Sequence, residues 1–106
     1  MMLEEFQQSL RKFTKERDWS QFHTPENLAK SISIEAGELL ETFQWHSTPD
    51  VQRVSEELAD VMTYCLLLAD AIGVDAVEVM AAKLEATRKK YPIEKARGRS
   101  EKYDRL

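Results

Sequence analysis

The sequence predicts an all-α protein in which four helices form a single domain over residues 1–106. Hydrophobic residues make up 42% of the chain and charged residues 32%, with only three Gly and three Pro, a composition typical of helix-rich globular proteins. Apolar side chains recur every three or four residues through most of the chain, which is the period of an α-helix. A length of 106 residues also matches one domain of ordinary size.

The first two helices are separated by a short segment rich in aromatic rings. Apolar residues at helical spacing predict a first helix that ends near Arg17, and residues 18–24 lose this period. Thr24-Pro25-Glu26 then combines a capping hydroxyl, a proline suited to the first helical position and an acid at the positive end of the helix dipole. We expect the second helix to begin there and to run to about Trp45.

The third helix is the most apolar of the four. We expect it to begin at Thr48-Pro49-Asp50, with Pro49 in its first turn, and to end before Gly73. Its second half, Val61 to Ile72, is apolar around almost the whole helix, and Cys65 is predicted to be a small core residue there. One small domain has too few helices to cover such a surface. The sequence therefore predicts a homo-oligomer, a dimer or a tetramer, in which the domains assemble into a helical bundle.

The fourth helix opens with the capping-box pattern Asp75-Ala-Val-Glu78 and stops at Pro92. Residues 93–106 show no apolar period, and we predict a polar, basic tail. Residues 1–87 hold 16 acidic and 7 basic side chains, whereas residues 88–106 hold 3 acidic and 8 basic ones. The net charge of −4 argues against nucleic-acid binding, whereas a basic end behind an acidic body suits a polyphosphate ligand with its metal.

Targeting signals are not evident in the sequence. The longest apolar run, Val61 to Ile72, contains Thr63 and Asp70 and is too short to span a bilayer. The first residues, Met1 to Glu5, lack the basic and apolar regions of a signal peptide. We therefore expect a cytoplasmic protein with no membrane partner.

Two pairs of carboxylates mark the candidate functional site. Glu35 with Glu38, and Glu57 with Asp60, are each three residues apart, so that both members of a pair lie on one helix face. A break from His46 to Asp50 separates the pairs, and helices joined by a short connection tend to pack side by side. Four carboxylates around one point need a cation between them, and oxygen ligands suit Mg²⁺ first and Mn²⁺ second.

The alternative is that these acids form an ordinary solvated helix face, in a chain with 19 acidic residues. The position of Glu35 argues against this alternative, because it lies in the middle of the apolar stripe formed by Leu28, Ile32 and Leu39. A carboxylate in an apolar stripe is costly to bury unless it is paired or binds a metal.

The order of these motifs resembles that of a known family. Glu35-x-x-Glu38, followed by Glu57-x-x-Asp60 that continues to Tyr64, resembles the MazG-like nucleotide pyrophosphohydrolases, and among them the dCTP pyrophosphatase branch. The resemblance spans nearly the whole chain. Further matches are Glu16-Arg17-Asp18-Trp19, Phe22-His23, Phe43-Gln44-Trp45, Lys83, Lys90-Tyr91-Pro92, Arg97-Gly98 and Lys102-Tyr103.

The resemblance implies a four-helix MazG-like domain that hydrolyses nucleoside triphosphates, dCTP or modified dNTPs first, to monophosphate and pyrophosphate as house-cleaning of the nucleotide pool. It also implies that Glu35, Glu38, Glu57 and Asp60 hold the metal and that Glu38 and Glu35 are catalytic. The sequence leaves open which of the carboxylates is the general base. The expected substrate-binding residues are Trp19, His23, Trp45, Lys83, Thr87, Arg88 and Tyr91.

Two residues depart from the family pattern. Thr87 stands where many members carry Asn, and a hydroxyl cannot replace the contacts of an amide. Leu10 stands where some members of the dCTP-preferring branch present a His toward the base. The aromatic residue Trp19 also has a simpler interpretation, a side chain that covers the core.

Three other kinds of protein share some of these features. A di-iron carboxylate bundle requires Glu-x-x-His pairs, and neither His23 nor His46 has Glu three residues before it. A phosphoribosyl-ATP pyrophosphohydrolase-like activity remains an alternative within the family. A non-enzymatic helical assembly module would account for the apolar third helix, but it gives no reason for Glu35 in an apolar stripe.

Overall fold

The computed structural model describes residues 1–45 and 47–106, so His46, in the predicted break, lies outside the described residues. Across those two ranges the chain forms α-helices and short 3₁₀ helices and contains no β-strand, which confirms the all-α prediction. The α-helices are α1 (Leu3–Glu16), α2 (Pro25–Glu41), α3 (Val51–Ala71), α4 (Ala76–Lys90) and α5 (Ile93–Ala96), and the 3₁₀ helices are Ser20–Phe22 and Tyr103–Arg105.

The four long helices were predicted, and the fifth was not. Helix α5 has only four residues and lies in the part of the chain that was predicted to be a polar tail. Pro92 is its N-cap, so the residue that ends α4 also starts the next turn. One turn of helix is too short to show an apolar period, which is why the sequence pattern missed it.

The start of α2 is as predicted, and its end is earlier. The Thr24 hydroxyl accepts a hydrogen bond from the Asn27 backbone N–H at 3.2 Å, and Pro25 is the first helical residue. The helix ends at Glu41 rather than near Trp45. The backbone N–H groups of the next residues bond to carbonyls three positions back, which tightens the chain into turns instead of continuing the α-helix.

Helix α3 begins later than the sequence suggested. Asp50 is its N-cap and accepts a hydrogen bond from the Gln52 N–H at 3.0 Å, so Pro49 precedes the helix instead of occupying its first turn. Asp is a stronger N-cap than Thr, which explains the choice of Asp50 over Thr48. At the other end Gly73 has a φ of +74°, the left-handed conformation that glycine adopts without strain and that commonly ends a helix.

The chain divides into two compact units, 1–73 and 74–106. In the first unit α2 and α3 pack against each other, and Leu28 of α2 is buried. Helix α1 is joined to the last turn of α3 by an ion pair between Arg11 and Asp70. The prediction of a single domain stays a prediction.

The second unit contains the fourth helix and the residues predicted as a tail. Asp75 caps α4 by accepting a hydrogen bond from the Glu78 N–H at 2.9 Å, in agreement with the predicted capping pattern. The Tyr91 hydroxyl accepts a hydrogen bond from the Tyr103 N–H at 3.1 Å, and the two rings meet edge to face with centroids 6.2 Å apart. These contacts attach the end of the chain to the end of α4.

Much apolar surface of α3 is exposed. Leu58 is 44% exposed and Met62 is 58% exposed, and Cys65 on the same side of the helix is exposed as well. The prediction that Cys65 is a core residue is therefore wrong, because the first unit leaves that side of α3 exposed. Every helix in residues 1–45 and 47–106 is too short or too polar to span a bilayer. The homo-oligomer stays a prediction.

Candidate active site

The four predicted carboxylates come together between α2 and α3. Glu35 and Glu38 project from α2, and Glu57 and Asp60 project from α3. One carboxylate oxygen of each residue lies within 4.8 Å of the others. The three-residue spacing places each pair on one helix face, and the packing of α2 against α3 brings the two faces together.

Two oxygen atoms of this acidic cluster are buried without a hydrogen-bond partner. They are Oε2 of Glu35 and Oε2 of Glu57, one from each helix. Glu38 and Asp60 are exposed. A buried polar atom without a partner costs about 1–3 kcal/mol, and more when it carries charge. The cluster is therefore unsatisfied as it stands and requires a proton or a cation.

The pKa values of Glu35 and Glu57, which are half-buried, reflect the crowding of negative charge. The pKa of Glu35 is raised to about 7 by a hydrogen bond to Glu38, by burial, and by repulsion from the charges of Glu38, Asp60 and Glu57. The pKa of Glu57 is also raised, first by burial and then by a hydrogen bond to Glu38 and by neighbouring negative charges. Both shifts have the direction expected when too many negative charges share a small space.

The donor set of the cluster fits a hard divalent cation. All four ligands are carboxylate oxygens, the type that Mg²⁺, Mn²⁺ and Ca²⁺ prefer over nitrogen or sulfur. A cation among these oxygens would satisfy the orphaned atoms of Glu35 and Glu57 and remove the repulsion that raises their pKa values. The residues present thus match the group that the sequence predicted.

A small cavity lies beside the acidic cluster, between α1, the following loop and α3. Its volume is about 160 Å³, which is below the roughly 300–1,000 Å³ of sites that enclose a whole ligand, so it suits a ring-sized part of one. Asp60 belongs both to this cavity and to the cluster. The lining residues are Leu10, Phe13, Thr14, Trp19, His23, Asp60, Thr63, Tyr64 and Leu67.

Two of the predicted substrate-binding residues line the ring-sized cavity. Trp19 meets the ring of Phe13 edge to face, with centroids 5.4 Å apart, and His23 lies in the same wall. Trp45 instead lies in the turn that follows α2, is 82% exposed and is outside the set of lining residues. The predicted role of Trp45 stays a prediction.

The remaining predicted substrate-binding residues all lie in the second unit. The Thr87 hydroxyl donates to the Lys83 carbonyl at 2.9 Å, so it is engaged within α4. Arg88 donates to Glu85 at 2.9 Å, and the Tyr91 hydroxyl accepts from the Tyr103 backbone. Their predicted role in holding phosphate stays a prediction.

The sequence did not single out several residues that line the cavity. Thr63 and Leu67 follow Asp60 by three and seven positions, so the helical period of α3 identifies them once Asp60 is recognised. Thr14 had no such signal, because its position depends on how α1 docks. Gly37, between the two glutamates of α2, has open space where a Cβ atom would lie.

The sequence and the fold are both similar to those of known proteins. The model of the MazG-like family matches residues 30–106, which include all four carboxylates. The chain belongs to the MazG-like family. This MazG-like protein is 38% identical to dCTP pyrophosphatase 1 of Mus musculus and 37% identical to that of Homo sapiens, with 98% of this chain and 67% of each relative covered.

A solved structure supports the same assignment of fold. The MazG-like chain superposes on a pyrophosphatase from Archaeoglobus fulgidus with a TM-score of 0.76 and 42% sequence identity. The match covers 85% of this chain and 92% of the archaeal one. The resemblance read from the motifs is thereby confirmed, and the helical architecture belongs to a family of pyrophosphatases.

Proposed function

We propose that the chain hydrolyses deoxynucleoside triphosphates, dCTP first among them, to the monophosphate and pyrophosphate with Mg²⁺ as cofactor. The observation that carries this proposal is the acidic cluster with two buried, unpartnered oxygens next to a ring-sized aromatic cavity. A site of this kind can hold a metal-bound triphosphate and a base side by side. The relatives named dCTP pyrophosphatase 1 are similar over 98% of this chain, which favours dCTP over phosphoribosyl-ATP.

The acidic cluster would hold Mg²⁺ through Glu35, Glu38, Glu57 and Asp60, with Mn²⁺ as the second choice. When bound, the metal would neutralise phosphate charge and lower the pKa of a water molecule. Glu38 is exposed, whereas Glu35 and Glu57 each carry one buried oxygen without a hydrogen-bond partner. Glu38 is therefore the first candidate to orient the attacking water and accept its proton, and Glu35 is the second.

The aromatic residues of the ring-sized cavity would bind the base. Trp19 and Phe13 offer ring faces and edges, and stacking on such rings is favourable for any nucleobase. His23 and Thr63 add groups that can donate or accept hydrogen bonds at the same cavity. Leu10 lines it too, so the first helix presents an apolar side chain to the base in place of a histidine.

Basic residues of the second unit are proposed to bind the departing pyrophosphate. Lys83 and Arg88 carry the charge, and Tyr91 and Thr87 carry hydroxyl groups. We further propose that the protein acts as a homo-oligomer in the cytoplasm, where deoxynucleotides are made and used. The exposed apolar side chains of α3 support the oligomer.

A nucleotide panel tests the proposed function. The protein is incubated with each dNTP, with CTP and with phosphoribosyl-ATP in Mg²⁺, and the products are separated by ion-exchange chromatography. We expect dCMP and pyrophosphate from dCTP, with lower rates for purine nucleotides, and no reaction in excess EDTA. Glu41→Gln, an exposed acid of α2 outside the cluster, is the matched control and should retain the rate. Two results would contradict the proposal. One is the release of orthophosphate and a nucleoside diphosphate as first products, and the other is full activity in EDTA.

A further inference from the structure

Helix α1 is attached to α3 by one bidentate ion pair. Nε of Arg11 donates to Oδ2 of Asp70 at 2.8 Å, and Nη2 donates to Oδ1 at 2.9 Å. The two residues are 59 positions apart in the chain, one on the third turn of α1 and the other at the end of α3. Two parallel hydrogen bonds fix both the distance and the direction of the contact, which one bond to a lysine cannot do.

Little else of α1 is buried. Thr14 is its one buried residue, whereas Phe6 is 36% exposed and Phe13 is 41% exposed. A helix with so small a buried face gains little of its position from packing. The ion pair therefore provides a large part of the interaction that holds α1 at a fixed distance from α3.

The position of Asp70 itself argues for a specific role. An acidic side chain in the last turn of a helix faces the negative end of the dipole, which is unfavourable. For the helix alone, Asn at this position would be better. The contact with Arg11 offsets this disadvantage, and the same contact raises the pKa of Arg11.

The ion pair lies next to the ring-sized cavity. Arg11 and Asp70 line a neighbouring cavity of about 380 Å³. Three residues line both cavities, and they are Thr14, His23 and Leu67. Leu10, which lines the ring-sized cavity, precedes Arg11 in the chain. The side chains beside the ion pair thus also line the ring-sized cavity in which a base would bind.

We propose that Arg11 and Asp70 are positioning residues that set the separation of α1 and α3, and with it the size of base that the enzyme accepts. The inference rests on the proposed function, since it assumes that the base enters the ring-sized cavity. Neither residue belongs to the acidic cluster, so metal binding should be independent of the pair.

Four variants test the pair. Arg11→Lys keeps the positive charge and loses the bidentate contact. Asp70→Asn removes the negative charge, and Arg11→Met removes the positive charge. The fourth, Arg11→Asp with Asp70→Arg, reverses the pair. Lys30→Met is the matched control, because it breaks a comparable exposed ion pair, with Glu26 at 3.1 Å on α2. Steady-state kinetics with dCTP and dATP give KM and kcat for each variant.

We expect the three single variants to raise the KM for dCTP about fivefold, as the loss of one partly exposed ion pair implies. The value of kcat should stay within about twofold of the wild type, because the cluster is unchanged. The preference for dCTP over dATP should fall, and the reversed pair should restore both KM and preference. Asp70→Asn is the most telling variant, since it should weaken binding while thermal stability stays equal or rises.

A second measurement does not depend on hydrolysis. The chain has two tryptophans, so Trp45→Phe leaves Trp19 as the fluorophore in the cavity wall. Titration of dCMP in EDTA onto this background, with and without Arg11→Lys, gives the affinity for the nucleoside monophosphate without metal and without hydrolysis. If the wild type hydrolyses no nucleotide, the proposed function is refuted. If dCMP nevertheless binds more weakly to Arg11→Lys, the positioning role still stands.

Equal dCMP affinity and equal KM in wild type, Arg11→Lys and Asp70→Asn would overturn the inference. So would a loss of kcat in parallel with melting temperature, since that pattern reports general destabilisation. Should Arg11→Met fail to fold by circular dichroism, the reversed pair still decides the matter. Recovery of KM in the reversed pair supports the positioning role, and failure to recover in a folded variant refutes it.

Discussion

Binding of Mg²⁺ should release protons from the acidic cluster, because the cluster holds protons when no metal is present. The pKa of Glu35 is raised to about 7, so this carboxyl is mostly protonated at pH 6 in the metal-free protein. A metal ligand must be ionised, so the proton has to leave when the ion enters. The affinity for Mg²⁺ should therefore rise with pH and level off above pH 7.

The expected amounts follow from the pKa of Glu35. With a pKa of about 7, binding should release about 0.9 proton per chain at pH 6, about 0.5 at pH 7 and about 0.1 at pH 8. The affinity should fall about tenfold between pH 8 and pH 6 for the same reason. Glu57, whose pKa is also raised, should add to the release at the acidic end.

The stability of the metal-free protein should depend on pH because of the same raised pKa of Glu35. The folded-state pKa of Glu35 lies above its ordinary value of 4.5, so the folded chain binds this proton more tightly than the unfolded chain. The contribution of Glu35 to stability is complete below about pH 4.5 and is lost as the pH rises through 7. The metal-free melting temperature should fall across this range, and Mg²⁺ should restore most of it at pH 8.

Isothermal titration of Mg²⁺ in buffers of different ionisation enthalpy measures the released protons directly. Glu38→Gln should diminish the release at pH 6, because Glu38 is the largest cause of the Glu35 shift. Glu41→Gln, on the same helix but outside the cluster, should leave the release unchanged. A release below about 0.2 proton at pH 6, with an affinity that is constant from pH 6 to 8, would refute this reasoning.

Three further outcomes are expected. Asp60→Ala should lower kcat/KM for dCTP by about a hundredfold or more, with the helical circular dichroism retained, and an active variant would remove Asp60 from the site. Met62→Glu should dissociate the oligomer, since an apolar side chain buried in an interface contributes about 1.5–3 kcal/mol. Light scattering that finds a wild-type monomer at micromolar concentration would contradict this. Gly37→Ala should raise the free energy of unfolding by about 0.5–1 kcal/mol in urea denaturation, because open space lies in front of Gly37, and a loss of stability would show that another chain packs there.

The acidic cluster was predictable because its geometry is local. The spacing of Glu35 and Glu38 fixes one half of the site, the spacing of Glu57 and Asp60 fixes the other, and two neighbouring helices need only pack together. The capping residues Thr24 and Asp75 were predictable for the same reason. The family and the class of enzyme, a nucleoside triphosphate pyrophosphohydrolase, were correctly read from the order of these motifs.

Features that depend on docking were not predictable. The contact of Arg11 with Asp70 joins residues that are distant in the chain, and no periodicity relates them. Thr14 lines the cavity because α1 docks beside α3, which no local pattern predicts. Cys65 was misplaced for a related reason, because an apolar pattern shows that a helix face avoids water and does not show which chain covers it.

Asp60 belongs at once to the acidic cluster and to the wall of the ring-sized cavity. A change of this residue would alter the cavity wall and the acidic cluster together. The opposite wall, with Leu10 and Phe13, carries no such constraint. Engineering or natural drift toward new bases should therefore proceed on α1, while α3 remains the fixed half of the site.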